Sequence, residues 1–228
     1  MYLFKNSRFA FVWTVTTIAL IVLLVYNTLV YFQLGVRAEF LTEKGPLVKN
    51  RLWLTAFYFH VFSSCVVLLT GAILFFSSLL KYRRMHLVLG YIYINIVLWI
   101  AAPTGLILSP VAKGGWPGAL GFAVTGLAWW YATWAGYRAI RQRRVNDHIA
   151  WMVRSWCLSL SAITFRVLHI AFFAVGFAPL TNYIMAIWFS LILNAWFAEV
   201  FISRNLLHST KQQAAKETEI DNQLVSSF

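Results

Sequence analysis

Four histidines lie within long apolar segments of the sequence or at their edges, where an imidazole nitrogen could ligate haem iron. They are His60, His86, His148 and His169. An ionisable side chain is costly inside a bilayer unless it faces the interior of a helix bundle, so each of the four is a candidate functional residue. Held in pairs from different helices, they predict two haem b groups that carry electrons across a membrane.

The depth of each histidine along its helix decides the pairing. With a rise of about 1.5 Å per residue, His60 and His169 reach a similar depth below one membrane surface, while His86 and His148 lie at the boundary with the other. We therefore expect one haem between His60 and His169 and a second between His86 and His148. His148 and His169 would be about 31 Å apart along one helix, which would make electron transfer between the two haems slow.

Two arginines share the fifth apolar segment with two of these histidines. Arg154 and Arg166 could pair with haem propionates, because a guanidinium group binds carboxylates strongly. Arg154 could instead form an intramembrane ion pair with Glu199 that fixes the register of two helices.

One face of the fifth segment carries a stripe of small and ionisable residues. At about 100° of rotation per residue, the stripe contains His148, Ser155, Ser159, Ala162, Arg166 and His169. Small residues in such a stripe leave room between helices for a neighbouring backbone or for a flat ligand.

Structural roles compete with the functional ones. Asn146 stands where it could cap a helix that begins near His148, which would make His148 an interfacial residue. His86 follows the basic run at residues 81–84 and could belong to a collar of cations that binds anionic lipid headgroups. Pro103 predicts a kink in the third apolar segment.

The elements that hold these residues are membrane helices. Of the 228 residues, 61% are hydrophobic and 11% are charged, against about 45–50% and about 25% in an average soluble domain. A water-soluble chain of this size could not bury so much apolar surface, so a bilayer is its solvent. Segments long enough for the roughly 20 residues of one crossing lie at about residues 9–32, 53–80, 86–109, 118–140, 149–176 and 181–203. We predict an all-α, polytopic transmembrane bundle of about six spans.

The distribution of basic residues predicts the orientation of the bundle. The two chain ends and the connections on their side hold 12 of the 19 Lys and Arg residues, and the opposite connections hold 5. Cytoplasmic loops carry the excess of such residues, so both termini are expected in the cytoplasm. Residues 1–203 form the predicted membrane domain. The polar segment 204–228 is expected to be a frayed helical extension followed by a disordered cytoplasmic tail.

Several other function classes are disfavoured. The formal net charge of +12 resides in the connections, where it indicates topology rather than nucleic-acid binding. Cys65 and Cys157 fall inside apolar segments without CxxC or zinc spacing, so we expect no disulfide framework or structural metal. A metal-dependent intramembrane hydrolase would need three ligands at one depth, whereas two histidines share each depth.

Three segments also occur in a recognisable order and spacing. They are the run from His86 to Tyr93, the segment from Asp147 through Trp151, Met152, Arg154 and Ser155 to Arg166, and the run from Trp188 through Asn194 to Glu199. They resemble the bacterial membrane-protein family called domain of unknown function 2306, over about residues 55–203. The resemblance implies a multi-span membrane protein whose family name assigns no activity.

The resemblance also bears on the candidate residues. In that family the first histidine is usually followed by arginine, whereas Leu87 follows His86 here, and His169 is not an expected position. The resemblance therefore favours His60, His86, His148, Arg154 and Arg166. A looser likeness to two-haem b-type transmembrane cytochromes rests only on histidines at two depths.

The sequence thus predicts a bacterial inner-membrane protein that binds haem b or a quinone-like redox group between its second, third and fifth helices. It would transfer electrons within the membrane, with membrane lipids and a redox partner protein as partners. The alternative is a non-redox module that binds lipid or assembles a complex through its inner basic residues. No motif names a reaction, so the sequence does not decide whether the protein is an enzyme.

Overall fold

The computed structural model describes residues 7–35, 39–76 and 82–226 of the chain. The structure is 92% helix, and no strand occurs among the described residues. The prediction of an all-α protein is therefore confirmed.

The α-helices follow the apolar segments of the sequence. They are α1 (Ser7–Leu34), α2 (Glu39–Glu43), α3 (Arg51–Phe76), α4 (Arg83–Ile96), α5 (Ala102–Leu108), α6 (Gly115–Arg141), α7 (Val145–Ser159), α8 (Ser161–Ala174) and α9 (Pro179–Ser226). Two 3₁₀ segments, Gly45–Lys49 and Ser109–Val111, and a π-helical segment, Val97–Ala101, lie between them.

Within the described residues, four helical stretches are long and apolar enough to cross a membrane. They are Arg51–Phe75, Arg83–Val111, Val145–Ala174 and Pro179–Arg204, and they coincide with the second, third, fifth and sixth predicted spans. The first and fourth predicted spans coincide with α1 and α6. Crossing of the membrane by those two helices remains a prediction.

The third span accommodates its proline through a change of helical register. The π-helical segment Val97–Ala101 ends just before Pro103, and the N–H of Ala102 donates to the Val97 carbonyl five residues back. In that register the following residue would donate its N–H to the Leu98 carbonyl, but this residue is Pro103, which has no N–H. The Leu98 carbonyl instead accepts from Trp130 Nε1 at 3.2 Å, which ties α6 to the third span.

The fifth span begins and continues differently from the prediction. The proposed cap at Asn146 is wrong, because α7 already begins at Val145 and its cap residue, Arg144, makes no side-chain cap hydrogen bond. The tight turn that ends α6 leads directly into α7, with the Arg144 N–H donating to the Ala139 carbonyl and Arg143 in the left-handed region at φ 60°. The span is also divided at Leu160, between α7 and α8.

The two ends of the bundle differ in composition. The amino ends of α3, α6 and α9 meet the 39–49 segment and the 109–114 connection at one end, which we call the cavity end. The carboxyl end of α6 and the amino ends of α4 and α7 form the other, the basic end. Exposed arginines there are Arg83, Arg84, Arg138, Arg141, Arg143 and Arg144.

Close packing in the middle of the bundle rests on a glycine. Trp156 of α7 is 3% exposed and stacks on Phe75 of α3 with ring centroids 4.4 Å apart. A Cβ on Gly71 would lie 2.2 Å from Trp156 Cδ1, so only glycine admits the indole at this distance.

The last helix, α9, continues beyond the membrane-length segment into the polar part of the chain. The division of the chain into a membrane domain of residues 1–203 and a tail of 204–228 remains a prediction.

Candidate functional site

A cavity of about 370 Å³ lies between the helices near the cavity end. Its walls come from α1, the 39–49 segment, α3, the third span, α6, α7, α8 and α9, and they are mainly apolar and aromatic. The lining side chains that can form hydrogen bonds include Lys44, His60, Ser64, Ser161 and Arg166. The cavity therefore combines mainly apolar walls with a small set of polar groups.

A hydrogen bond orients the ring of His60, a cavity residue of α3. Its Nδ1 lies 2.8 Å from the carbonyl oxygen of Ala101, so this nitrogen carries the proton and donates. The other nitrogen, Nε2, is then an acceptor in the neutral ring. Gly105 permits the close approach, because a Cβ there would lie 2.9 Å from His60 Cε1.

Arg166 of α8 lies close enough to His60 for the charges of the two side chains to interact. Its Nη1 donates to the carbonyl of Ala162, one turn earlier, at 2.7 Å. Two of the six predicted site residues, His60 and Arg166, thus line one cavity.

Lys44 is a lining residue that sequence reasoning missed. Its Nζ donates to the Val111 carbonyl at 2.5 Å, which ties the 39–49 segment to the carboxyl end of the third span. Beside it, Lys113 forms an ion pair with Glu43. Burial and the charge of Lys113 lower the pKa of Lys44, and Glu43 opposes the shift. In the sequence Lys44 counted only as a charge in a connection.

His169 is not among the residues that line the cavity. Its ring stacks on Phe165 at 5.8 Å and meets Tyr183 edge-on at 5.8 Å, and both aromatic residues line the cavity. The Nδ1 of His169 is buried without a hydrogen-bond partner. His169 therefore lies behind an aromatic wall that separates it from the cavity surface.

The other two predicted histidines meet at the basic end. His148 Nδ1 lies 2.9 Å from the Gly136 carbonyl, and His86 is close enough for the charges of the two rings to interact. The Nδ1 of His86 is buried without a partner. The predicted neighbourhood of His86 and His148 is thus present, though far along the bundle from His60.

Arg154 and Glu199 form the ion pair that was the structural alternative for Arg154. The guanidinium Nε and Nη2 donate to the two carboxylate oxygens at 2.6 and 2.9 Å. The guanidinium also lies 4.6 Å from the ring centroid of Trp151. Arg154 therefore joins α7 to α9 and does not line the cavity.

A chain of buried hydroxyls, which we call the serine cluster, lies between α4, α6 and α7. Ser155 Oγ lies 2.9 Å from the Tyr93 hydroxyl and 2.7 Å from Thr133 Oγ1, and all three residues are at most 1% exposed. Thr133 donates its one hydroxyl proton to the Trp129 carbonyl at 2.8 Å. Ser155 consequently donates to Thr133, and Tyr93 donates to Ser155.

The histidines fit haem ligation only in part. A ligating imidazole usually donates its second N–H to a carbonyl or carboxylate, as His60 and His148 do. His169 and His86, the other member of each predicted pair, have a buried Nδ1 without a partner. Among the described residues, no group of three or more His, Cys, Asp or Glu side chains could hold a metal ion.

Comparison with known families finds a match over most of the chain. The family model described as "Predicted membrane protein (DUF2306)" matches residues 57–202, a range that contains all six predicted site residues but not Lys44. No curated protein and no solved structure matches the chain.

Proposed function

The chain belongs to the DUF2306 family of predicted membrane proteins, and from that premise we propose that it binds a lipid-soluble, quinone-like redox molecule in the cavity. The protein would pass electrons within the membrane between this molecule and a redox partner protein. The observation that carries the proposal is the presence of His60 and Arg166 in one mainly apolar cavity, on two helical stretches that are long and apolar enough to cross a membrane.

The size and walls of the cavity support a small flat ligand. Its volume of about 370 Å³ falls in the range of roughly 300–1,000 Å³ that is usual for small-molecule sites. Aromatic side chains that line it include Phe122, Trp129, Phe165 and Tyr183. Such walls can stack on a planar ring.

The polar groups support the chemistry of a quinone. Its carbonyl oxygens accept hydrogen bonds, which Arg166 and the hydroxyl of Ser64 can donate. Reduction adds two electrons and two protons to the ring. His60, with its Nδ1 proton committed to Ala101, can hold or give a proton at Nε2.

Titration of the purified protein with a short-chain quinone tests the proposal. Binding is followed by quenching of tryptophan fluorescence, since Trp53 and Trp129 line the cavity. We expect saturable quenching that weakens at least tenfold in His60→Ala and Arg166→Ala. The control is His208→Ala, which lies outside the membrane-length helices. Equal affinity in wild type and His60→Ala would overturn the proposal.

Haem b remains a second proposal, favoured by the ligand-like orientation of His60 and His148. The visible spectrum of the purified protein, oxidised and then reduced with dithionite, tests it. A sharp band in the reduced spectrum that is lost in His148→Ala supports haem. A flat spectrum from cells that make haem normally rejects it.

A non-redox lipid-binding role is the alternative proposal, and the exposed arginines at the basic end support it. Cations at a membrane surface attract anionic lipid headgroups, with about 1 kcal/mol per residue. Replacing Arg83, Arg84, Arg143 and Arg144 by Gln should lower the amount of anionic lipid that purifies with the protein. Unchanged lipid content would reject this role.

We also propose that the helices make six crossings of a bacterial inner membrane, with both termini in the cytoplasm. The excess of Lys and Arg on the side of the termini supports this orientation. Single cysteines introduced near Lys5, Lys113 and Lys216 can be labelled with an impermeant maleimide in intact cells. Labelling of the Lys113 position alone is expected, and labelling near either terminus would contradict the orientation.

A further inference from the structure

The two ring nitrogens of His60 have different roles. Nδ1 lies 2.8 Å from the Ala101 carbonyl oxygen, which can only accept, so the ring proton is on Nδ1. The mainly apolar walls of the cavity favour a neutral ring over a charged one. In the neutral ring Nε2 has no proton, so it can accept a hydrogen bond but cannot donate one.

The Nε2 of His60 is also accessible. His86 and His169 each bury a ring nitrogen that has no hydrogen-bond partner, whereas no nitrogen of His60 is buried in this way. Within the described part of the chain, the hydrogen bond of the His60 ring goes to Ala101 and uses Nδ1. Because His60 lines the cavity, its Nε2 is open to a molecule that occupies the cavity.

A second polar group lies one helical turn further along α3. Ser64 also lines the cavity, and side chains four residues apart are neighbours on one face of a helix. It is the adjacent Ser63 that donates to the His60 carbonyl. A serine hydroxyl can both donate and accept. One face of α3 therefore presents to the cavity an acceptor, the His60 Nε2, and a group that can donate, the Ser64 hydroxyl.

These two groups together match a hydroxyl on the ligand. A hydroxyl donates its proton to one partner and accepts with its oxygen from another. It can therefore donate to Nε2 of His60 while its oxygen accepts from Ser64. A carbonyl or ether oxygen would accept from Ser64 in the same way, but it would leave Nε2 facing a second acceptor.

The walls determine which kind of hydroxyl compound fits. Phe165 and Tyr183 line the cavity and meet edge to face with ring centroids 5.0 Å apart. The ring of Phe122, another lining residue, lies 5.8 Å from Phe165 and 6.0 Å from Tyr183. Such a group of rings packs well against another aromatic ring. A phenol combines that ring with a hydroxyl that is a stronger donor than an aliphatic one.

We propose that the cavity recognises a phenolic hydroxyl, which donates to Nε2 of His60 and accepts from the hydroxyl of Ser64. The inference rests on the proposed function in that a quinone-like molecule occupies the cavity, and it adds which form binds more tightly. The hydroquinone carries this hydroxyl and the quinone does not. The reduced form is therefore the preferred ligand, while the oxidised form keeps the bond from Ser64 and the packing against the His60 ring.

A water molecule can also donate to Nε2 without any ligand being present. In that case a ligand hydroxyl would add nothing to affinity, because the acceptor would already be satisfied. Methylation of a phenol removes its donor and keeps its ring and its oxygen. A comparison of a phenol with its methyl ether therefore separates the two explanations.

The test uses three brominated probes with the same ring and alkyl chain, because bromine quenches nearby tryptophan fluorescence and Trp53 and Trp129 line the cavity. They are an alkyl bromophenol, its methyl ether and the alkyl bromobenzene. The phenol replaces the hydroquinone because it does not oxidise during the titration. The full-length protein in nanodiscs of neutral lipid is titrated at neutral pH, where the phenol is protonated. The saturable part of the quenching measures binding, and the linear part measures partition into lipid.

The wild type should discriminate among the probes by their hydrogen bonds. We expect the phenol to bind about tenfold more tightly than the ether, equivalent to about 1.4 kcal/mol. The ether should bind more tightly than the bromobenzene, because its oxygen still accepts from Ser64.

Single substitutions separate the roles of the two residues. His60→Phe keeps a ring and removes the acceptor, so the phenol and the ether should bind equally. Ser64→Ala should weaken both of these probes and leave the bromobenzene unchanged. His169→Phe is the matched control, since it makes the same replacement behind the aromatic wall and outside the cavity lining, and it should keep the preference for the phenol.

Each outcome decides between the claims. Equal binding of phenol and ether in the wild type would overturn the recognition of a hydroxyl and leave a lipid-soluble ligand in place. This comparison needs no variant to fold. A preference for the phenol that persists in His60→Phe, or that is lost equally in His169→Phe, would overturn the assignment to His60. Absence of saturable quenching by every probe would overturn the cavity as a ligand site, and with it the proposed function.

Discussion

The serine cluster and the cavity each contain a serine of the fifth span, but the surroundings of the two serines differ. Ser155 is fully buried and makes two hydroxyl contacts. Ser159, one helical turn later, lines the cavity. The cluster has every hydroxyl in a directed chain, whereas the cavity leaves polar groups around an unfilled space.

The difference arises from neighbouring helices rather than from the span itself. Next to the cluster, Gly71 lets the indole of Trp156 fill the space between α3 and α7. The cavity lining includes small residues such as Ser64, Ala102 and Ala162, and a space of about 370 Å³ stays open between the helices. A polar residue in a membrane bundle therefore marks a candidate ligand site when its surroundings are hollow, and a packing contact when they are filled.

The largest loss of stability is expected for Gly71→Ala, which tests the filled region of the bundle. Gly71→Ala puts a Cβ 2.2 Å from an indole atom that is backed by Phe75, so the core has to shift. Overpacking of this kind costs about 3 kcal/mol, and the thermal midpoint of the purified protein should fall by several degrees. Gly90→Ala is the matched control, since a Cβ there has open space and alanine favours the helix by up to about 1 kcal/mol. Equal midpoints for the two variants would contradict the packed interior.

A smaller effect is expected from removing a hydroxyl at each region. Ser155→Ala takes away the acceptor of the buried Tyr93 hydroxyl and should cost about 1–2 kcal/mol. Ser64→Ala, on the cavity lining, should change the free energy of unfolding by less than about 0.5 kcal/mol. Chemical denaturation in mixed micelles measures both. If Ser64→Ala destabilises as much as Ser155→Ala, the distinction between filled and hollow regions fails.

Much of the fold could be predicted from the sequence, because long apolar segments have few alternatives in a bilayer. The Arg154–Glu199 pair could also be predicted, since two opposite charges at one depth have strong reason to meet. Other features depend on contacts between distant parts of the chain. Lys44 reaches a carbonyl 67 positions away.

The pairing of the histidines also depends on contacts between distant parts of the chain, and the sequence did not reveal them. Depth alone paired His60 with His169, but the structure places Phe165 and Tyr183 between His169 and the cavity. The break at Leu160 contains neither proline nor glycine, so no local residue signalled it. These features follow from how α8 packs on its neighbours, which hydrophobic periodicity does not encode.

A substitution that stabilises the protein is expected at the basic end, in the tight turn between α6 and α7. Arg143 has φ 60°, a conformation that costs an L-residue about 1–2 kcal/mol, while glycine loses up to about 1 kcal/mol through backbone entropy. Arg143→Gly should therefore stabilise the protein by about 0.5 kcal/mol. Arg141→Gly removes the same charge from the last turn of α6 and should destabilise it by about 1 kcal/mol. Destabilisation by both variants would show that charge, and not backbone strain, governs this end.

The smallest expected effect is a pH dependence of stability that arises from Lys44 at the cavity end. Burial and Lys113 lower the pKa of Lys44 in the folded protein, whereas the unfolded chain keeps a lysine pKa of about 10.4. Between the lowered pKa and about 10.4, the unfolded chain binds more protons, so the free energy of unfolding rises with pH in this window.

Measurements of the thermal midpoint across this alkaline window test the sign. Lys44→Gln should flatten the dependence, because the titrating group is gone. A thermal midpoint that changes with pH equally in wild type and in Lys44→Gln would show that another group governs the alkaline stability of the protein.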